Sequence, residues 1–226
     1  MAAVLRVFQL LSLLILCAVG RNRIASQLPI PSRYDGFVYR DRIFPNSVLV
    51  EAFFDPLCPD SRDSWWPLKE VLHYYRDNIT FIVHPFALPY HNNAFIASRS
   101  LHIANRINKS YTYPLLDYFF KYQQRFYNKV TLEVTPATIT EQIVHFAMEK
   151  LGNSSYENFV LAFQDTATDM ATRISFKYGC SRAVTGTPYF FVNGIPLRDM
   201  DETIDFNKWK GIIDPLLAGQ IEGLSS

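Results

Sequence analysis

Asp55-Pro56-Leu57-Cys58-Pro59-Asp60-Ser61 sets one thiol at the point where a β-rich apolar run, Val48 to Phe54, gives way to a helical pattern. Pro59 suits the first position of that helix, which makes Cys58 its N-cap. A thiol placed there faces unsatisfied backbone N–H groups and the positive end of the helix dipole, and both favour the thiolate, the form that attacks a disulfide. Asp60, two residues on, and Asp55, three residues back, pull the other way by disfavouring a second negative charge nearby. The chemistry on offer is nucleophilic, from a thiol less acidic than its place on the helix alone would make it. The alternative is an inert cysteine buried as a small hydrophobe.

Other residues capable of chemistry are sparse. Cys180 ends the last of a series of helical stretches, just before the loop to Pro188. Buried and structural is the favoured reading for it; pairing with another chain, or acting as a distant resolving thiol for Cys58, are the alternatives. A bridge needs Cα atoms within about 7 Å, which sequence does not show. His73, His84, His91, His102 and His145 fall in different elements without ligand spacing, so no metal is expected.

The elements that must position the thiol can be traced along the chain. Arg21 to Ser32 carries Pro29 and Pro31 with no periodicity and reads as an N-terminal arm over 21–33. Asp35-Gly36 turns into a short strand at Phe37-Val38-Tyr39, and Val48 to Phe54 suits a buried strand. From Pro59 to about Asp77, Trp65, Leu68, Val71, Leu72 and Tyr75 recur at helical spacing, with Pro67 expected to kink the helix. Ile79 to Phe86 is a second long strand. Between Pro89 and about Gly179 the period is helical throughout, with stripes of Ala94, Ala97, Leu101, Ala104 and of Leu116, Phe119, Phe120, Phe126. Thr138 with Glu141, and Ser154 with Glu157, read as capping boxes within this stretch. The aromatic stripes are core rather than a cofactor box. Pro188 to Val192 is then a strand, Asn193-Gly194 a type I′ turn, Ile195 to Arg198 the returning strand, and Asp205 to Leu217 a final helix with Trp209, Ile212, Ile213 and Leu216 on one face.

Composition bounds the setting. A chain of 226 residues that is 49% hydrophobic and 15% aromatic has ample material for a packed core. Its net charge of +1, with Lys and Arg scattered singly, provides no basic stripe, so nucleic acid is not the expected partner. Arg6, the apolar run Val7 to Ala18 and Ala18-Val19-Gly20 match the three parts of a signal peptide over 1–20, cut after Gly20. Leu14-Ile15-Leu16-Cys17 is no lipidation box, because Leu16 is bulky where a small residue is required. No other segment is apolar enough to span a bilayer, so no stable membrane association is expected after cleavage. Asn78-Ile79-Thr80, Asn108-Lys109-Ser110 and Asn153-Ser154-Ser155 are sequons suited to a eukaryotic secretory route. With Cys17 removed, Cys58 and Cys180 remain, enough for at most one intramolecular bridge.

Two segments resemble the thioredoxin superfamily. Phe53-Phe54-Asp55-Pro56-Leu57-Cys58-Pro59-Asp60-Ser61 is similar to the strand-loop-helix that carries its Cys-x-x-Cys pair; Val184-Thr185-Gly186-Thr187-Pro188-Tyr189-Phe190-Phe191-Val192-Asn193-Gly194 is similar to its cis-proline loop and hairpin. The helical stretch between them, introduced by His84-Pro85-Phe86-Ala87-Leu88-Pro89 and His91, points to the DsbA-like branch. The resemblance implies an α/β fold with a mixed central sheet over about 34–220, broken by a helical insertion at about 90–180. It also implies that Thr187 and a cis Pro188 present their backbone to an extended client beside Cys58. Ser61 stands where the dithiol members have their resolving cysteine. Its hydroxyl can donate a hydrogen bond to the thiolate but cannot expel a bound partner.

The leading functional expectation is monothiol disulfide exchange in the secretory pathway, in which Cys58 forms a mixed disulfide with a cysteine-containing client or with glutathione as co-substrate. Release then needs an external thiol, which suits isomerisation, deglutathionylation or client retention. A non-catalytic peptide-binding module that keeps the Thr187–Pro188 surface is the alternative. A glutathione-dependent isomerase or transferase acting through Ser61 is a weaker one. Glu222-Gly223-Leu224-Ser225-Ser226 does not match the Lys-Asp-Glu-Leu retention signal, which favours secretion over residence in the endoplasmic reticulum lumen.

Overall fold

Five strands, Phe37–Val38 (β1), Val48–Phe54 (β2), Ile79–Pro85 (β3), Tyr189–Val192 (β4) and Ile195–Pro196 (β5), form one sheet in the order β1-β3-β2-β4-β5. The structure is a computed structural model that describes residues 30–31, 33–197 and 203–223. The segment 1–20 read as a signal peptide, most of the segment read as an N-terminal arm, residues 198–202 and the last three residues lie outside the described residues. The fold occupies one unit, Tyr34–Ser226. β2 and β3 run parallel; β1 on β3, β4 on β2 and β5 on β4 are antiparallel, so the sheet is mixed.

β2 is central and covered on both faces, which is why Val48 to Phe54 reads as a nearly continuous apolar run. Its alternate residues part company. Ala52 and Phe54 join the main core with the fully buried Trp65, whose ring stacks on Phe81 and Tyr113 and whose indole N–H donates to Asp117 at 2.7 Å. Phe53 faces the other way, into a smaller cluster with Cys58, Phe86, Leu88, Val184 and Phe191. At the far side of the hairpin, Asn193 and Gly194 both have positive φ, 49° and 80°, as a type I′ turn requires, and the Asn193 side chain accepts from the Leu49 N–H at 2.9 Å.

Helix α1, Pro59–Tyr75, follows β2. It runs on through Pro67, and the residue whose carbonyl loses its partner there, Asp63, is exposed to solvent. The chain between β3 and β4 holds five helices: α2 Ala94–Ile107, α3 Thr112–Tyr122, α4 Pro136–Leu151, α5 Tyr156–Gln164 and α6 Thr166–Ser181. The last, α7, spans Phe206–Gly223 and seats Trp209 and Ile213 in the core against α1 and Phe190, while Ile212 and Leu216 are partly buried.

Two helix starts differ from the sequence expectation. α4 begins at Pro136 with Thr135 as N-cap, its hydroxyl accepting from Thr138 N–H at 3.2 Å, so the Thr138–Glu141 pair lies inside the helix. A proline pre-set for the first helical position decides the start. At the second, Asn153–Ser155 forms a 3₁₀ turn, and α5 starts at Tyr156 with no side-chain cap from Ser155.

Candidate active site

Cys58 is the N-cap of α1, with extended backbone at φ −82° and ψ 123° and Pro59 as the first helical residue. It is 3% exposed, packed in the cluster around Phe53 and Phe191. Its thiol donates to the Thr187 carbonyl at 3.4 Å. The Thr187–Pro188 bond is cis, and the Thr187 hydroxyl is buried without a hydrogen-bond partner. The fold therefore brings together Cys58, Thr187 and Pro188, which the sequence singled out from segments more than a hundred residues apart.

Two clamps hold the loop that carries the thiol and a third holds the His91 segment, and none was anticipated. Asp55 is fully buried: one carboxylate oxygen accepts from Leu57 N–H at 2.7 Å, the other from Leu88 N–H at 3.0 Å and from the His91 ring at 2.8 Å. Gln123, also fully buried, donates its amide to the carbonyls of Pro56 and Cys58, both at 3.1 Å, and accepts from the Tyr127 hydroxyl at 2.7 Å. Asn128 accepts from Asn92 N–H at 2.9 Å and donates to the Tyr90 carbonyl at 2.7 Å, fixing the His91 segment. The only signal of these clamps in the sequence is residue type; the partners come from separate elements.

No family model matches the chain, and no curated protein matches it by sequence. Solved structures do match. A proposed protein-disulfide isomerase from Pseudomonas syringae superposes with a TM-score of 0.66 at 19% identity, over 79% of this chain and 98% of that one. For alpha-DsbA1 of Wolbachia pipientis the TM-score is 0.62 at 13% identity, over 87% and 96%. The thiol-disulfide exchange protein alpha-DsbA2 of the same organism gives 0.59 at 15% identity, over 81% and 87%. The fold is DsbA-like thioredoxin.

Within this DsbA-like fold the remaining predicted residues take definite places. Ser61 is fully buried at the third position of α1, and its hydroxyl oxygen accepts from Asp55 N–H at 3.4 Å; the thiol's own hydrogen bond goes to Thr187. Cys180 is a correction: it is exposed, not buried, and it and Cys58 are free thiols. The reason is helical phase. Gly179 faces inward, where a methyl group would sit 2.5 Å from the Phe86 ring, and the next residue is turned about 100° away from that packed face. Asn78, Asn108 and Asn153 are all exposed, at the ends of α1's trailing 3₁₀ turn, of α2 and of α4 respectively.

Behind Phe53 lies a buried polar network that sequence reading missed entirely. The His84 ring stacks on Phe53 with centroids 4.5 Å apart. Its Nδ1 lies 2.8 Å from Asp35, and its Nε2 lies 3.3 Å from Glu51 without hydrogen-bond alignment. Ser175 donates to the second Asp35 oxygen at 2.6 Å, and Arg182 reaches Glu51 at 3.3 Å and the Tyr178 hydroxyl at 2.6 Å. Burial pulls the His84 pKa down, but the carboxylates of Asp35 and Glu51 outweigh it and the net shift is upward. For Glu51, burial raises the pKa while His84 and Arg182 lower it, and the lowering prevails.

Proposed function

We propose that this protein performs monothiol disulfide exchange through Cys58 in the secretory pathway. The carrying observation is a thiol at a helix N-terminus, hydrogen-bonded to the loop carbonyl of Thr187 at 3.4 Å, with a serine one turn on. The Cys58 thiolate attacks one sulfur of a client or glutathione disulfide, the old S–S bond breaks, and the other half leaves as a thiolate. No net oxidation occurs and no cofactor is consumed. With Ser61 in place of a second cysteine, release falls to an external thiol, in keeping with isomerisation, deglutathionylation or client retention. The structural neighbours described as a disulfide isomerase and a thiol-disulfide exchange protein support a redox reading of the fold.

The test must separate two thiols, because the exposed Cys180 reacts with any disulfide reagent. In a Cys180→Ser background, incubation of the native reduced protein with oxidised glutathione is expected to give one adduct, cleared by dithiothreitol. Cys58→Ala in that background should give none. A Cys58 that stays unmodified until the protein is denatured would favour the other reading, a peptide-binding module, which the 3% exposure of Cys58 speaks for. A glutathione-dependent enzyme using the Ser61 hydroxyl has less support, since that hydroxyl is fully buried against Asp55 N–H.

The secretory assignment rests on the leader-like first twenty residues and on three exposed sequon asparagines. Protein expressed through a eukaryotic secretory route should lose mass on treatment with an N-glycosidase. An unchanged mass for material recovered from the medium would count against use of Asn78, Asn108 and Asn153.

A further inference from the structure

A cleft of about 240 Å³ opens at the start of α1, lined by Leu57, Pro59, His91, Phe126, Tyr127, Asn128 and Lys129. Leu57 and Pro59 are the two neighbours of Cys58 in the chain, and the sulfur lies close enough to Tyr127, in the cleft wall, and to Tyr90, next to His91, to act on both hydroxyls through its charge. The buried Leu57 and Phe126 make its lining apolar, and an imidazole, a phenol and an ammonium group border it.

Among these groups, His91 is tightly constrained. Its backbone N–H donates to the Leu88 carbonyl at 3.2 Å, its carbonyl accepts from Ala94 N–H at 2.9 Å, and Asn128 grips the residues on either side of it. Asp55 fixes the ring. Both Asp55 oxygens already accept backbone N–H groups, so the 2.8 Å contact is an Nδ1–H of His91 donating to a buried carboxylate. That assignment leaves Nε2 as the atom that takes up or gives up a proton. The His91 side chain is 23% exposed, whereas that of His84 is wholly enclosed. A carboxylate-oriented imidazole with one free nitrogen is the arrangement that general acid–base catalysis uses.

Thiol-disulfide exchange has a use for such a group. The sulfur expelled from an alkyl disulfide departs as a thiolate whose conjugate acid has a pKa of about 8.5, and the rate rises when that charge is neutralised as it forms. We infer that His91, held by Asp55, protonates the thiolate that leaves when Cys58 attacks a disulfide, and that the cleft beside Pro59 receives this leaving half. In the balanced step, the Cys58 thiolate forms the new S–S bond, the client S–S bond breaks, and the departing sulfur takes the Nε2 proton. The neutral imidazole is recharged by the proton that the Cys58 thiol gave up on ionising. The inference rests on the thiol-exchange reading above.

The leaving group separates the two. In the Cys180→Ser background, the rate of mixed-disulfide formation at Cys58 is measured with oxidised glutathione and with dithiobis(nitrobenzoate), whose aromatic thiolate departs without a proton. For His91→Gln the glutathione rate should fall on the order of a hundredfold while the aromatic disulfide keeps most of its rate. Equal losses with both would mark His91 as merely structural and overturn the inference, as would no loss with either. A protein with native His91 that reacts with neither disulfide would overturn the thiol-exchange reading itself.

Discussion

On the proposed monothiol mechanism, Ser61→Cys is expected to turn accumulation of mixed disulfides into their release. Ser61 occupies the third position of α1, one turn from Cys58, and residues so spaced fall in the Cα window of about 4.4–6.8 Å that a disulfide needs. A thiol there attacks the mixed disulfide at an effective concentration of about millimolar or more, against which external thiols compete poorly. Turnover of a disulfide client in the presence of reductant should rise by roughly a hundredfold, and trapped complexes should fade from non-reducing gels. The larger sulfur enters a fully buried site against Asp55 N–H, so a loss of about 1–3 kcal/mol in stability is expected alongside. If complexes and turnover stay as they were, while Cys180→Ala makes complexes accumulate in the protein that keeps Ser61, then Cys180 is already the resolving thiol.

His84→Gln should cost about 3–5 kcal/mol, because it strips the cation from a buried pair of carboxylates. Asp35, with a side chain only 6% exposed, would keep just the Ser175 hydroxyl, and Glu51 would keep Arg182. The pH dependence gives this prediction its signature. The folded His84 pKa lies above the unfolded value of about 6.5, so the native state binds this proton more tightly. The stabilisation is complete below about pH 6.5 and is lost as pH rises through the folded value. His102 does not share this limb: desolvation, opposed by the charge of Asp35, holds it down to about 4. Glu51, with its pKa depressed, contributes above about pH 4.5 and loses its contribution as pH falls. Urea titrations of both proteins from about pH 6 to 9 should show the cost of His84→Gln shrinking as pH rises. A cost that stays constant across that range would mean the ring acts through packing on Phe53 alone.

What could be read in the chain was local. β2 and α1 were legible to the residue or nearly so, because an apolar run of strand length meets a cysteine followed by a proline suited to open a helix. The hairpin was legible because Asn193-Gly194 specifies its own turn. Contacts set by register and helix phase were not. Glu51 pairs with Ile82, and His84 with Phe53, only once β2 and β3 are aligned, and that alignment places two charged residues on one covered face. Asp55 was read as an electrostatic opponent of the thiolate, since nothing local announces that Leu57, Leu88 and His91 would engage its carboxylate. The same limit explains Cys180, whose burial depended on which side of α6 turned inward, a choice made by the missing side chain of Gly179.

The contact between Cys58 and the Thr187 carbonyl closes a loop of 129 residues, with the whole helical insertion inside it. Long-range closure of this kind raises contact order and slows folding, since the entropy of the loop is lost before the contact forms. At synthesis rates of about 5–20 residues per second, the thiol precedes its partner carbonyl out of the ribosome by roughly ten seconds. For that interval β2 lacks β4 along one edge, and Cys58 lacks the Val184, Thr187 and Phe191 side of its enclosure. A nascent chain thus displays the Cys58 sulfur well before it has the loop carbonyl that accepts its hydrogen bond.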